Sequence, residues 1–145
     1  MDPGARAVFG VLLRWVHIAS VVTLIGGFIY ARFALAPALA SLPPSEREAA
    51  GGVAVRSFRP LMVFVLLTAL GSGMYNYSNK ASFPPGYQMW FGIKILFVLH
   101  IAVAAILYSL RPSSQEKRNR TALGIAISGV IVIAISAYLR YLSLR

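Results

Sequence analysis

The chain has 145 residues, 58% hydrophobic and only 12% charged, with 14 basic against 4 acidic side chains and no cysteine. This excludes a soluble cytosolic or secreted enzyme and points to a single membrane domain over residues 1–145. The net charge of +10 does not point to nucleic acid: the bases punctuate the ends of apolar runs, with no basic stripe interleaved with stacking aromatics. Without cysteine there are no disulfides, covalently attached c-type heme, iron–sulfur clusters or thiolate metal sites, and non-covalent cofactors remain open.

Residues 8–35 are apolar apart from Arg14, His17, Ser20, Thr23 and Arg32 and predict the first span, since about 20 such residues cross the hydrocarbon core. Ala38-Leu39-Ala40 before Ser41 resembles a signal-peptidase site, but the preceding run is too long for a signal peptide and carries Arg14, His17 and Arg32. Ala36-Pro37 and Leu42-Pro43-Pro44 are expected to end the helix. Ser45 followed by Glu48 has capping-box spacing and predicts a short polar helix, weakened by Gly51-Gly52, leading toward Arg59-Pro60.

The second span is expected over 60–77, with Ala69 and Gly73 at the spacing that lets helix backbones approach closely. Residues 79–87, with Pro84-Pro85-Gly86, read as a loop. The third span covers 90–110 and contains Lys94 and His100. A basic loop over 111–120 leads to the fourth span, 122–142, with Gly124 and Ser128 at close-approach spacing and Tyr138 and Tyr141 near an aromatic belt. The expected fold is therefore all-α: an integral membrane, up-and-down four-helix bundle.

The side carrying the first and third loops holds eight bases (Arg32, Arg47, Arg56, Arg59, Arg111, Lys117, Arg118 and Arg120) against four on the other (Arg6, Lys80, Arg140 and Arg145). The positive-inside rule then puts the first and third loops in the cytoplasm and both termini outside.

Titratable groups at membrane depth are costly and point to function. His17 lies 9 residues past Val8, and His100 lies 10 past Trp90. At 1.5 Å per residue both imidazoles sit about 14–15 Å below the same surface. Arg14 shares the face of His17, whereas Lys94 stands about 120° round its helix from His100 and needs its long stem to reach the same space. Below His17 the stripe Ser20, Leu24, Gly27, Ala31 leaves room for something flat or for a close neighbour. Two level imidazoles capped by two cations are what heme b requires: His17 and His100 as the iron's axial ligands, and Arg14 and Lys94 beside the propionates. The four acids, Asp2, Glu46, Glu48 and Glu116, lie outside the spans, which argues against a carrier built on buried carboxylates.

Plainer readings exist for each residue. A single histidine in a span often serves only as an interhelical hydrogen-bonding group, Arg14 and Lys94 can snorkel to headgroups, and the glycines Gly26, Gly27, Gly71 and Gly73 suit packing. Copper is the chemical rival: Met74 and Met89 lie toward the histidine side, and thioether with imidazole suits Cu(I).

The stretches RWVHIASVVTLIGGFIYARFALAPAL, VRSFRPL and MWFGIKILFVLH resemble the CopD-like membrane domain associated with copper resistance, and are similar to the HemJ-type protoporphyrinogen oxidases. In both groups a first helix carrying W-x-x-H or a close variant is followed by Gly and a Pro-containing exit, and a later helix carries a Lys. By that resemblance His17 matches the first-helix histidine held to bind heme in the HemJ-type group, and Lys94 the lysine of the third helix. His100 follows Lys94 by 6 residues, closer than the downstream histidine of HemJ-type chains. The expectation is a bacterial inner-membrane protein that binds heme b for electron transfer or porphyrin oxidation. The alternatives are CopD-like copper binding or transport, and a cofactor-free structural subunit of a larger membrane complex. The partners expected are the lipid bilayer, a membrane redox partner or larger complex, or further copies of the chain.

Overall fold

Helices account for 88% of the chain in the computed structural model, which describes residues 2–80 and 82–144 and contains no strand among them. The elements are α1 (Pro3–Tyr30), a π turn (Ala31–Leu35), α2 (Ala36–Ala40), α3 (Pro44–Ser78), α4 (Tyr87–Leu110) and α5 (Gln115–Leu142). Four stretches are long and apolar enough to cross a membrane: Gly4–Ala40, Pro44–Ser78, Tyr87–Leu110 and Gln115–Leu142. Lipid offers the backbone no hydrogen-bonding partner, so an apolar chain of this length satisfies its amides internally as helix. The expected all-α four-helix membrane bundle is what forms. One of the bases counted on the terminal side, Arg145, lies outside the described residues.

Two prolines do not end helices where the sequence suggests. Pro37 has no N–H and its ring crowds the carbonyl four residues back. The helix passes it by widening into the π turn, in which the Ala36 N–H reaches the Ala31 carbonyl, and then runs on to Ala40. Arg47 donates from Nε to the Leu39 carbonyl and from one terminal nitrogen to the carbonyls of Ala40 and Leu42, capping the chain's exit. Pro60 likewise lies inside α3 rather than at its start. The polar helix expected before it and the second span are one continuous helix of 35 residues.

The Ser45–Glu48 capping box does not form, because the helix starts at Pro44 and Glu48 is drawn elsewhere. Its Oε1 accepts from the Gln115 backbone N–H at 2.8 Å and its Oε2 pairs with Arg118 at 3.5 Å, joining α3 to the start of α5. Gly51 is buried beneath this clasp, where a side chain would strike that of Gln115. At the start of α4, Gly86 takes a left-handed φ of 77°, and Ser114 caps α5 by accepting from the Lys117 N–H.

α5 is the central helix: 44% of its apolar window is buried inside the protein, against 17–22% for the others. α1 lies along α3 and also touches α5, and α4 lies along α5. Their shared core contains Leu24, Phe28, Met62, Leu66, Ile101 and Ile125, and Phe28 meets Phe58 and Tyr108 edge-on at 6.0 and 5.3 Å. Gly27 accommodates the Phe58 ring and Gly129 the Ile25 side chain, so the small positions of α1 and α5 serve close helix approach there. Large apolar side chains such as Leu12, Trp15, Val22, Phe64, Leu67, Leu96 and Val103 are exposed around the bundle, as a protein solvated by lipid requires. At the end carrying the termini, Tyr77, Phe83, Tyr87 and Phe91 form a chain of rings closed by the stacked Tyr77–Phe91 pair at 4.3 Å.

Candidate functional site

His17 enters the bundle from α1 and meets α3 where Gly73 offers no side chain. A Cβ built at Gly73 would come within 3.0 Å of the His17 Cε1. The imidazole Nδ1 lies 2.9 Å from the Ala69 carbonyl oxygen and 3.1 Å from the Ser72 Oγ. A carbonyl only accepts, and the Ser72 hydroxyl already donates to the Thr68 carbonyl. These acceptors place the proton on Nδ1. In the neutral ring Nε2 then carries a lone pair, and no protein donor among the described residues takes it. A ring N–H held by a backbone carbonyl is the usual support of a metal-ligating imidazole, and it is equally a structural bond between two helices.

Two adjoining cavities meet at this histidine. The inner one, about 300 Å³, is apolar: Val21, Leu24, Ile25, Leu66, Val98 and Ile101 line it with His17 and Lys94. The outer one, about 420 Å³, opens toward the termini. It is lined by Arg14, Lys80, Lys94 and Arg140, by Asn76, Asn79, Ser136 and Ser143, and by the rings of Tyr77, Tyr87 and Phe91, without a carboxylate. Both volumes lie in the range of small-molecule sites, roughly 300–1,000 Å³.

Lys80 is engaged, donating to the Ser143 Oγ at 2.7 Å and lying 4.6 Å above the Tyr87 ring. Arg14, Lys94 and Arg140 have no hydrogen-bond or ion-pair partner among the described residues. The outer cavity is therefore a cup of positive charge above an apolar chamber, with Lys94 and His17 at the junction of the two.

Of the four residues singled out in the sequence, the structure brings together His17, Arg14 and Lys94. His100 is not with them. The face of α4 that meets the core and the inner cavity carries Lys94, Val98, Ile101 and Ala105, spaced by 4, 3 and 4 residues, and His100 stands about 120° away from it. His100 is exposed and lines a separate cavity between α4 and α5 with Tyr108, Arg111, Lys117, Arg120 and Gly124. The expectation that His17 and His100 face one another as a metal-binding pair is corrected accordingly: His17 shares its cavities with Lys94, six residues before His100, and His100 lines a groove that reaches toward Arg111 and Lys117.

Met74 and Met89 are 70% and 61% exposed, and neither lines the cavities around His17. No group of three or more His, Cys, Asp or Glu side chains suited to a metal ion occurs among the described residues.

The site uses residues that the sequence reading did not single out. Ser72 and the Ala69 carbonyl orient the imidazole, and Lys80, just after α3, and Arg140, near the end of α5, complete the charged cup. Only the Ala69–Gly73 spacing hinted at this contact.

No family model matches the chain, and no curated protein and no solved structure matches it.

Proposed function

We propose that this multi-pass membrane protein binds an amphipathic, carboxylate-bearing ring in the two cavities at His17, with heme b or a related porphyrin as the ligand. One observation carries the reading. The Nδ1–H of His17 is committed to the Ala69 carbonyl, which leaves Nε2 free, below a mouth where Arg14, Lys94 and Arg140 lack partners and no carboxylate competes.

The residues suit such a group in part. His17 would hold the iron, and the carbonyl behind it would raise the basicity of its ring. Arg14, Arg140 and Lys94 would take the propionates. Val21, Leu24, Ile25, Leu66 and Val98 would keep water from the apolar face. A second imidazole from this chain is not part of the reading, because His100 faces a different cavity. A bound heme supplies a one-electron couple, and the reading is tetrapyrrole binding for electron transfer or porphyrin oxidation. The resemblance to CopD-like and HemJ-type chains, the setting in a bacterial inner membrane and cytoplasmic first and third loops belong to the same proposal.

The test is a heme titration of the detergent-purified protein with a reduced-minus-oxidised visible spectrum. A Soret band is expected that His17→Ala abolishes and His100→Ala leaves unchanged. No band after heme supply, or a band that survives His17→Ala, overturns the reading. Stoichiometric Cu(I) binding without a Soret band would point to copper handling. A persistent protein partner with neither metal nor colour would point to a structural subunit.

A further inference from the structure

The opposite end of the bundle holds a second concentration of positive charge, unrelated to His17. A cavity of about 360 Å³ between α3, the end of α4 and the start of α5 is lined by Arg56, Arg59, Arg111 and Arg118, with Glu48 as its one carboxylate. Glu48 is already occupied by the Gln115 N–H and by Arg118. Arg59 is half satisfied: a terminal nitrogen donates to the Ser109 carbonyl, but its buried Nε–H has no acceptor. Arg56 and Arg111 have no hydrogen-bond or ion-pair partner among the described residues. Buried N–H groups are rarely left without an acceptor, and planar guanidinium forks match phosphate oxygens two at a time.

A neighbouring cavity narrows the choice of anion. It measures about 400 Å³, shares Tyr108, Arg111 and Ser113 with the first, and runs along α4 and α5 past Ala104, Leu107 and Gly124 to the exposed His100. A Cβ built at Gly124 meets nothing within 4 Å, so the groove is open there. A charged chamber at the helix ends that continues into a groove, with Lys117 and Arg120 beside its mouth and Ala104, Leu107 and Gly124 farther along, has the shape of a headgroup with its chain. Basic pockets between membrane helices hold anionic headgroups in this way.

We propose that Arg56, Arg59 and Arg111 bind the phosphate of an anionic phospholipid whose acyl chain lies in the α4–α5 groove. The guanidiniums supply the charge, a small turn of the Arg59 side chain gives its unsatisfied N–H an acceptor, and Gly124 leaves space for the chain. The proposal is independent of the tetrapyrrole reading, because no residue of this site lines the cavities at His17.

Native mass spectrometry of the detergent-purified full chain tests it, with phosphatidylglycerol, phosphatidylcholine and inorganic phosphate as probes. Phosphatidylglycerol is expected to bind more tightly than phosphatidylcholine. Arg56→Gln and Arg111→Gln should each weaken it by about tenfold, the size expected for losing one charge-assisted bond. Arg6→Gln, which removes the same charge from an exposed position at the other end, should leave binding unchanged. Gly124→Leu, which fills the groove, should weaken the diacyl lipid without creating a phosphate preference. Equal binding of the two lipids overturns the proposal, as does an equal loss in Arg6→Gln. Competition by millimolar inorganic phosphate that matches the lipid's own affinity would identify a free-phosphate site and overturn the lipid assignment. Should Arg59→Gln fail to fold, the Arg56 and Arg111 variants decide the matter.

Discussion

Replacing Gly73 by alanine isolates the seat of the imidazole. The new Cβ would lie 3.0 Å from the His17 Cε1 and 3.4 Å from its Nδ1. Ordinary carbon contacts run at about 3.5–4.0 Å, so the ring must withdraw by about 0.5 Å. The Nδ1···O distance to Ala69, now 2.9 Å, then moves beyond the range of a good N–H···O bond, about 2.7–3.2 Å. Losing that bond is worth about 0.5–1.5 kcal/mol, a roughly 2- to 12-fold weakening of ligand binding at about 1.4 kcal/mol per tenfold.

Alanine also favours a helix interior over glycine by up to about 1 kcal/mol, which raises stability without touching the site. Gly71→Ala carries this gain alone, since nothing lies within 4 Å of its would-be Cβ. Heme titration in detergent, followed at the Soret band, should therefore show Gly71→Ala binding like the parent and Gly73→Ala binding more weakly. The imidazole nitrogen NMR signals should report the lost Nδ1 bond in Gly73→Ala even without ligand. Identical titrations and identical imidazole signals in the two variants would refute the argument that Gly73 sets the position of His17.

Other substitutions test the fold. Gly129→Ala drives a methyl into the Ile25 side chain and should lower stability by about 1–3 kcal/mol, whereas Gly124→Ala, in open space, should be neutral or better; thermal unfolding in detergent compares them. Pro60→Ala restores a donor to a helix that already continues through the position, so it should raise the unfolding temperature, by no more than the roughly 3 kcal/mol that separates the two residues in a helix interior. An unchanged or lower temperature would mean that the proline shapes α3. Glu48→Gln should destabilise the α3–α5 clasp by about 0.5–1 kcal/mol, because the carboxylate is partly exposed at 47%. Glu116→Gln breaks an i,i+4 pair with Arg120 whose side chains are 74% and 80% exposed, and should change unfolding by less than about 0.5 kcal/mol.

The four spans were legible because length and apolarity suffice to define a membrane helix. Their ends were not. Pro37 and Pro60 each carry a breaking signal, yet one is absorbed by a π turn and the other by a helix long enough to forgo one bond. That Arg14 joins His17 was readable from helical phase and that Lys94 lies toward the same end from its place in α4, but the face of Lys94 was not, because phase was reckoned from His100. His100 was misplaced because rise per residue gives height, while the side a residue faces depends on which stripe of α4 meets its neighbours. α4 is apolar almost all round, so its sequence marks no buried face. The Ser45–Glu48 spacing misled for a different reason: Glu48 found a better partner 67 residues away, which no local pattern contains.

The helix that the others close upon is also the last of the four spans to be synthesised. When α1, α3 and α4 have left the ribosome, the surfaces that will meet Ile125, Gly129 and Val132 still face lipid, and the cup containing Arg14 and Lys94 still lacks Arg140 and Ser143. α1 and α3 can pair before then, so what waits for α5 is the shared core and the closing of the cup. A chain halted before Gln115 would keep the α1–α3 pair but leave α4 without its partner helix and the cup incomplete, a substrate for membrane quality control rather than a partly working protein.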